Sequence, residues 1–488
     1  MLIQLSASAC LGKLGMLGKL DIRTLLGRIY PLLAILIGVL IVSLPMGPYE
    51  TLDTQLEYNT TRGVLRWGYP YLDSSGPPSV DSYGDLFNMP PMGFYTQALH
   101  FTIFGASLEN GIMLITLFGL GCTVLVYLLA QEFYGKTTGL FAAAFFALAP
   151  WELIMTRAFL IDTQCLFLSL AYLYVGILAI RKDSLKLAGF SGLLFAAALI
   201  TKQFAVFMLI PLAILYIYHR PKNKKLVLRQ LILFTAPVAI SNFLWYNIIL
   251  GKELLYLFNH NDFRDYNFPH YTPTHIFASD FLVNYGLGLF FCVTFAVSLA
   301  VTLLFWRQLP KKMVLFDVIC LLTLSFIVGL VLYLAVNLNL KAPYTSAVKY
   351  LYHTLPLFSI AAASIAAKTA LLLKNTCQTT KFRRILMTLA VIAGVVLLVT
   401  PLISHMVSAQ QLTTTEYLIF RVQPNLDVGY SFYVQNPPTP DHYALTMQLV
   451  GFTVILSGFA WNSKHFITKQ TNLIRTWFKT KNSPDTVS

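Results

Sequence analysis

Side chains able to move a proton or hold an anion gather at a few places in this chain. Between residues 46 and 108 lie Glu50, Asp53, Glu57, Asp73, Asp81 and Asp85, with Arg62 and Arg66 as the only cations. A carboxylate in such a segment could take the proton of an attacking hydroxyl; its plain alternative is a solvated acidic loop. Arg157 and Asp162 stand five residues apart, with Asp162 opening an apolar run. Stabilising the helix N-terminus is the plain role for that aspartate. Ionisable groups at a membrane edge are costly and often functional, and Arg157 is the expected counter-charge. Lys202 separates two short apolar runs; it either snorkels to an interface or offers positive charge there. The stretch 250–282 supplies Lys252, His260, Asp262, Arg264, Asp265, His270 and His275, without HxxxH or HExxH spacing. Tyr350 and His353 open a later apolar run, where a histidine is expected to be hydrogen-bonded at the interface. No metal ligand set is predicted and no cofactor is required, although the acids are compatible with a divalent cation.

The elements that must position these residues follow from composition. Of 488 residues 56% are hydrophobic and 11% charged, where a soluble protein carries about 25% charged residues. Mean hydropathy is +0.65. These values exclude a soluble enzyme and a disordered chain and predict an all-α polytopic membrane protein. A net charge of +14 would suit nucleic acid, but the basic residues form short clusters between apolar runs, as positive-inside topology requires. No nucleic-acid partner is expected; membrane lipid is. The six cysteines, Cys10, Cys122, Cys165, Cys292, Cys320 and Cys377, show no CxxC spacing and none falls in a predicted outer loop, so no disulfide framework is expected.

A spanning helix needs about 20 apolar residues, and about twelve such runs are present, with 11–13 as the rough range. They lie near 25–45, 109–131, 138–155, 160–181, 186–201, 204–219, 229–249, 283–306, 314–337, 349–372, 384–404 and 445–461; the pair within 186–219 also reads as one long kinked segment. Placing both termini in the cytoplasm makes the basic clusters alternate correctly. The segments 46–108, 250–282 and 405–444 then face outward. Residues 1–461 form one transmembrane domain, and 462–488 a basic cytoplasmic tail. In the first outer loop 54–65 reads as an interfacial helix. Pro90 and Pro91 force an extended approach to 93–105, which is too short to span and reads as interfacial or re-entrant.

The order of these signals resembles the GT-C class of lipid-linked sugar glycosyltransferases, in particular the aminoarabinose transferase and protein O-mannosyltransferase-like group. That family has an acid after the first span and a glycine about fifteen residues later, as Asp53 and Gly68 stand here. Its K-P-P-L element corresponds to Met89-Pro90-Pro91-Met92, followed by Tyr95 and Phe104-Gly105. A Y-x-L-A-x-x-x-[FY]-G run is matched from Tyr127 to Gly135, R-x(4)-D by Arg157 and Asp162, and T-K by Thr201-Lys202. A Y-x(3–5)-L-P element corresponds to Tyr350 through Pro356. Thr54 stands where many relatives have Glu, which leaves Glu57 as an alternative acid. Met89 stands where the family has a lysine.

The resemblance implies an inverting glycosyltransferase acting at the outer face. The donor is a polyprenyl-phosphate-linked sugar, on undecaprenyl or dolichyl phosphate, and the acceptor a lipid, glycan or protein. Asp53 would be the base, and Asp162 would help position Arg157 or a sugar hydroxyl. Arg157, Lys202 and Arg264 would meet the phosphate in place of the missing lysine, and Tyr58, Tyr95, Tyr350 and His353 would line the donor site. The competing readings are a transporter or flippase, and a polymerase or ligase, of lipid-linked saccharides. Charges concentrated in outer loops and the lack of an internal repeat weigh against the transporter.

Overall fold

The computed structural model describes residues 22–44, 52–68, 70, 90–219, 223–249, 288–337, 352–376, 446–447 and 449–462. Among them every regular element is helical: α1 (Ile22–Ser43), α2 (Leu52–Trp67), α3 (Met92–Phe104), α4 (Leu108–Tyr134), α5 (Lys136–Ala147), α6 (Pro150–Met155), α7 (Ile161–Arg181), α8 (Leu185–Leu199), α9 (Leu209–His219), α10 (Lys224–Asn242), α11 (Gly288–Phe305), α12 (Lys311–Asn337) and α13 (Leu355–Thr376), with α14 (Leu449–Asn462) near the C-terminus. Among the described residues the helices at Leu108–Tyr134, Ile161–Arg181, Lys224–Ile249 and Tyr352–Leu372 are long and apolar enough to cross a membrane. Shorter apolar helices accompany them at Ile29–Ser43, Leu185–Leu199, Gln203–His219, Val293–Phe305 and Leu449–Asn462. The protein is an all-α, polytopic membrane protein.

The chain divides into two compact units. In the smaller, α1 packs on α14 through small residues: a β-carbon on Gly38 would come within 2.5 Å of the Gly451 carbonyl oxygen. In lipid no hydrophobic drive separates helix from tail, so such close van der Waals contact holds the pair. The Tyr30 and Ser457 hydroxyls add a hydrogen bond at 2.8 Å.

The larger unit spans Met46–Asp441. Here α7 packs against α4 and α8, α8 against α10, and α13 against α5 and α11. Gly135, at φ +97°, makes the turn that folds α5 back on α4, a backbone region that disfavours other residues. Local signals set several boundaries. The Ser107 hydroxyl accepts from the Asn110 amide at 3.2 Å at the start of α4, and the Asn223 side chain accepts from Lys225 at the start of α10; both are N-caps.

The helix α2 covers the stretch 54–65 expected to be helical, and α3 covers all but the last residue of the short segment 93–105. The run 138–155 is not one helix, because α5 ends at Ala147 and α6 restarts at Pro150; proline suits a first helical turn, where its missing N–H costs no hydrogen bond. The run 186–219 is likewise broken. The α8 helix stops at Leu199, Lys202 is extended (φ −160°, ψ 142°), and a 3₁₀ turn at Gln203–Met208 leads into α9. The break sets Lys202 at the junction.

Candidate functional site

Asp162 sits in the first turn of α7 and is fully buried. Its Oδ2 lies 2.6 Å from Lys202 Nζ, delivered by the break between α8 and α9. The Lys202 side chain is 16% exposed, so one end of the pair reaches the surface of the fold. Asp162 Oδ1 has no hydrogen-bond partner. The carboxylate pairs with Lys202, a partner the sequence reading did not assign to it. Arg157 lies half-buried in the turn between α6 and α7. Packing of α7 against α8 brings Lys202, 40 residues away in sequence, within contact of Asp162.

The start of α7 also explains Glu57. Leu160 precedes the helix and offers no side-chain cap. Glu57, from α2, supplies one across space, its Oε2 accepting the Ile161 amide at 2.8 Å. Helix N-termini leave amides unpaired and favour negative charge. Burial nevertheless dominates at this carboxyl. It raises the Glu57 pKa from 4.5 to about 8, with Asp162 adding to the rise and Lys202 and the Ile161 amide opposing it. Glu57 thus holds a proton over most of the neutral range.

His353 completes the cluster. It belongs to the 3₁₀ turn Tyr352–Thr354 ahead of α13, is fully buried, and feels the charges of both Asp162 and Lys202. Phe204 and Phe207 flank its ring at 6.1 and 6.4 Å. Neither ring nitrogen has a hydrogen-bond partner, which departs from the hydrogen-bonded interfacial histidine expected. Buried polar atoms are ordinarily satisfied, so a carboxylate oxygen and two imidazole nitrogens left over in one cluster mark a place that a ligand could complete.

The Pro-Pro segment docks on the same turn. Met92 donates its amide to the Ile200 carbonyl at 2.9 Å, and Gln164, just beyond Asp162 in α7, donates to Thr96 at 3.0 Å. The position resembling the family lysine, Met89, lies outside the described residues, as do Arg264, Tyr350 and the Asp53 side chain. Position 53 itself is in the first turn of α2, four residues before Glu57; residues so spaced share one helix face.

Tyr58 and Tyr95 both make contacts within the fold. Tyr58 packs edge-on against Phe101 and Phe159 and donates to the Ala106 carbonyl at 3.3 Å. Tyr95 donates to the Gly68 carbonyl at 3.0 Å and meets Trp245 edge-on. Both hydroxyls are occupied in joining α2, α3 and the loops between. Among the described residues no group of three or more His, Cys, Asp or Glu could hold a metal.

The sequence reading missed Glu152 and Tyr352. Their buried hydrogen bond, 2.6 Å from the Tyr352 hydroxyl to Glu152 Oε2, lies beside His353. A carboxylate inside the apolar run 138–155 was the available signal for Glu152.

Residues 88–246 match a family model described as dolichyl-phosphate-mannose-protein mannosyltransferase. The resemblance drawn from motifs and this match agree. The matched stretch runs from the Pro-Pro element through Asp162 and Lys202 to the end of α10. No curated protein sequence matches the chain. Among solved structures, the chain is similar to ArnT from Cupriavidus metallidurans bound to undecaprenyl phosphate, with 14% identity, TM-score 0.49, and coverage of 90% of this chain and 78% of that one. It is also similar to the archaeal oligosaccharyltransferase AglB from Archaeoglobus fulgidus in complex with an inhibitory peptide and a dolichol-phosphate. There the identity is 13% and the TM-score 0.47, and 80% of this chain and 59% of that one are covered.

Proposed function

We propose that this protein is an inverting glycosyltransferase that moves a sugar from a polyprenyl-phosphate donor to a lipid, glycan or protein acceptor at the extracytoplasmic face of the plasma membrane, with both termini cytoplasmic. The observation that carries the reading is the Asp162–Lys202 pair, which lies inside the segment that matches the mannosyltransferase model and is set among His353, Glu57 and unsatisfied polar atoms. A membrane location for an enzyme acting on a polar sugar follows from a donor whose tail stays in lipid.

In the proposed step the acceptor oxygen forms a bond to the anomeric carbon while the bond from that carbon to the phosphate oxygen breaks. The electron pair leaves on the phosphate, and the hydroxyl proton passes to Asp53. A single displacement of this kind inverts the anomeric configuration. Phosphate is a weak base, so its departure needs positive charge rather than an acid. Lys202 supplies that charge and Asp162 holds its ammonium in place; Arg157 and Arg264 are the further cations proposed for the phosphate. Glu57 is a poor choice of base because it keeps its proton near neutrality. Its role is to cap α7 and so fix Asp162. The base assignment stays with Asp53, on the face of α2 that carries Glu57. His353, with Tyr350, Tyr58 and Tyr95 at the margins, would contact the donor. No step requires a metal, although a divalent cation is compatible with this chemistry.

Purified protein given a radiolabelled polyprenyl-phosphate sugar and a membrane acceptor extract should release polyprenyl phosphate and label the acceptor. Asp53→Asn should abolish this while leaving donor binding intact. Full transfer by that variant would remove the base assignment. Absence of any release with mannosyl, glucosyl and aminoarabinosyl donors would remove the reading for those sugars.

A further inference from the structure

Glu152 is a carboxylate that the proposed chemistry does not use. It is 2% exposed in α6, and its Oε2 accepts the hydroxyl proton of Tyr352 at 2.6 Å, a link between residues 200 apart in sequence. Its other oxygen, Oε1, has no hydrogen-bond partner. The slot that holds it is shaped by α4. A β-carbon on Gly119 would come within 2.8 Å of Glu152 Oε1 and 2.2 Å of Thr156 Cγ2, so a larger residue there would push α6 away.

The link joins the two segments that flank the site. Tyr352 is buried and immediately precedes His353. Thr163 immediately follows Asp162, interacts with the Tyr352 hydroxyl, and donates to the carbonyl of Met155, the last residue of α6, at 3.3 Å. Glu152, Tyr352 and Thr163 therefore tie α6, the first turn of α7 and the 3₁₀ turn together at one point. A hydrogen bond in a dry interior is costly to lose, because the group left behind is a buried orphan.

We infer that Glu152 is a positioning residue, acting through the Tyr352 hydroxyl to hold His353 and the Asp162–Lys202 pair in register. The inference rests on the glycosyltransferase reading for its functional consequence, but not for its geometry. Two measurements separate them. The first is the affinity of purified protein for undecaprenyl phosphate. The second is the rate at which a maleimide labels Cys165, followed by peptide mass spectrometry. The Cys165 thiol is buried and lies 3.5 Å from the Lys202 carbonyl oxygen, so its labelling reports on the opening of α7 from the Lys202 turn.

Glu152→Ala and Tyr352→Phe should each weaken undecaprenyl phosphate binding by about tenfold or more and speed Cys165 labelling by a similar factor, the size expected when one buried hydrogen-bonding group is left unsatisfied. Glu152→Gln, whose amide oxygen still accepts from the tyrosine, should stay within about threefold of wild type on both. The double variant Glu152→Ala/Tyr352→Phe should be no worse than the poorer single, since both remove one bond. Additive losses, equal failure of the Gln and Ala variants, or unchanged labelling in Glu152→Ala would each overturn the inference. Wild-type protein that does not bind undecaprenyl phosphate would instead count against that donor, while the labelling rates still decide the role of Glu152.

Discussion

Among its described residues the larger unit contains two aspartate–lysine pairs with a buried carboxylate, each closed at 2.6 Å, and they are finished in opposite ways. Around Asp317 and Lys368 every polar atom is used. Asp317 accepts from the Thr302 hydroxyl at 2.6 Å and from the Tyr134 hydroxyl at 2.9 Å, while Lys368 donates to the Ser298 hydroxyl at 2.7 Å and its carbonyl at 3.3 Å. Ser298 and Ser364 close the network at 3.0 Å. Around Asp162 and Lys202 one carboxylate oxygen and both nitrogens of His353 are left over, and the lysine keeps some exposure. Lys368 follows His353 by fifteen residues in one nearly continuous helical stretch, so about 22 Å separates them along its axis. A saturated network joins helices and leaves nothing for a ligand. An unsaturated one of the same charge is where a ligand would find partners.

That contrast can be broken at either end. The largest effect is expected from Lys368→Ala, which strands a buried carboxylate and should cost roughly 3–5 kcal/mol. A drop in melting temperature and in yield of folded protein in detergent would record it. Lys368→Met with Asp317→Leu should recover much of that loss, because removing both charges leaves no orphan. Asp162→Asn should do the reverse, lowering transfer by about 10²–10³, as for loss of one oriented electrostatic contact. Its melting temperature should fall less than that of Lys368→Ala, since the remaining Lys202 ammonium can turn toward water. Equal melting losses in the two variants would erase the distinction.

Glu57 sharpens the comparison through pH. Its carboxyl is raised from 4.5 to about 8, so between those values the folded protein keeps a proton that the unfolded chain has released. Its contribution to stability is therefore complete below the lower value and is lost as pH rises toward the upper one, at up to ~1.4 kcal/mol per pH unit for one proton. Glu57→Gln should flatten the fall in melting temperature across that window; an unaltered profile would contradict it. The smallest effect belongs to Tyr134→Phe, which removes one of several bonds to Asp317. It should cost about 1–2 kcal/mol in denaturant unfolding and leave transfer unchanged.

Several of these residues are legible in the amino-acid sequence itself. The apolar runs predict α4, α7, α10 and α13 because hydropathy is carried by consecutive residues. The helices α2 and α3 are visible as short stretches between the first two long apolar runs. Asp162, Lys202 and His353 stand out singly, as ionisable groups beside apolar runs. The break at 200–202 is harder to read, since the runs on either side are nearly continuous and only the backbone at Lys202 shows that they part.

Composition and the alternation of charge and hydropathy thus determined by themselves that the chain is a helical membrane protein and where most of its helices lie, since those are local properties of the sequence. Which groups meet was decided only by tertiary packing. Asp162 meets Lys202 from 40 residues away, the cap of α7 comes from Glu57, 104 residues upstream, and Glu152 finds Tyr352 across 200. Such pairings depend on which helix faces lie together, and a one-dimensional pattern holds no record of that.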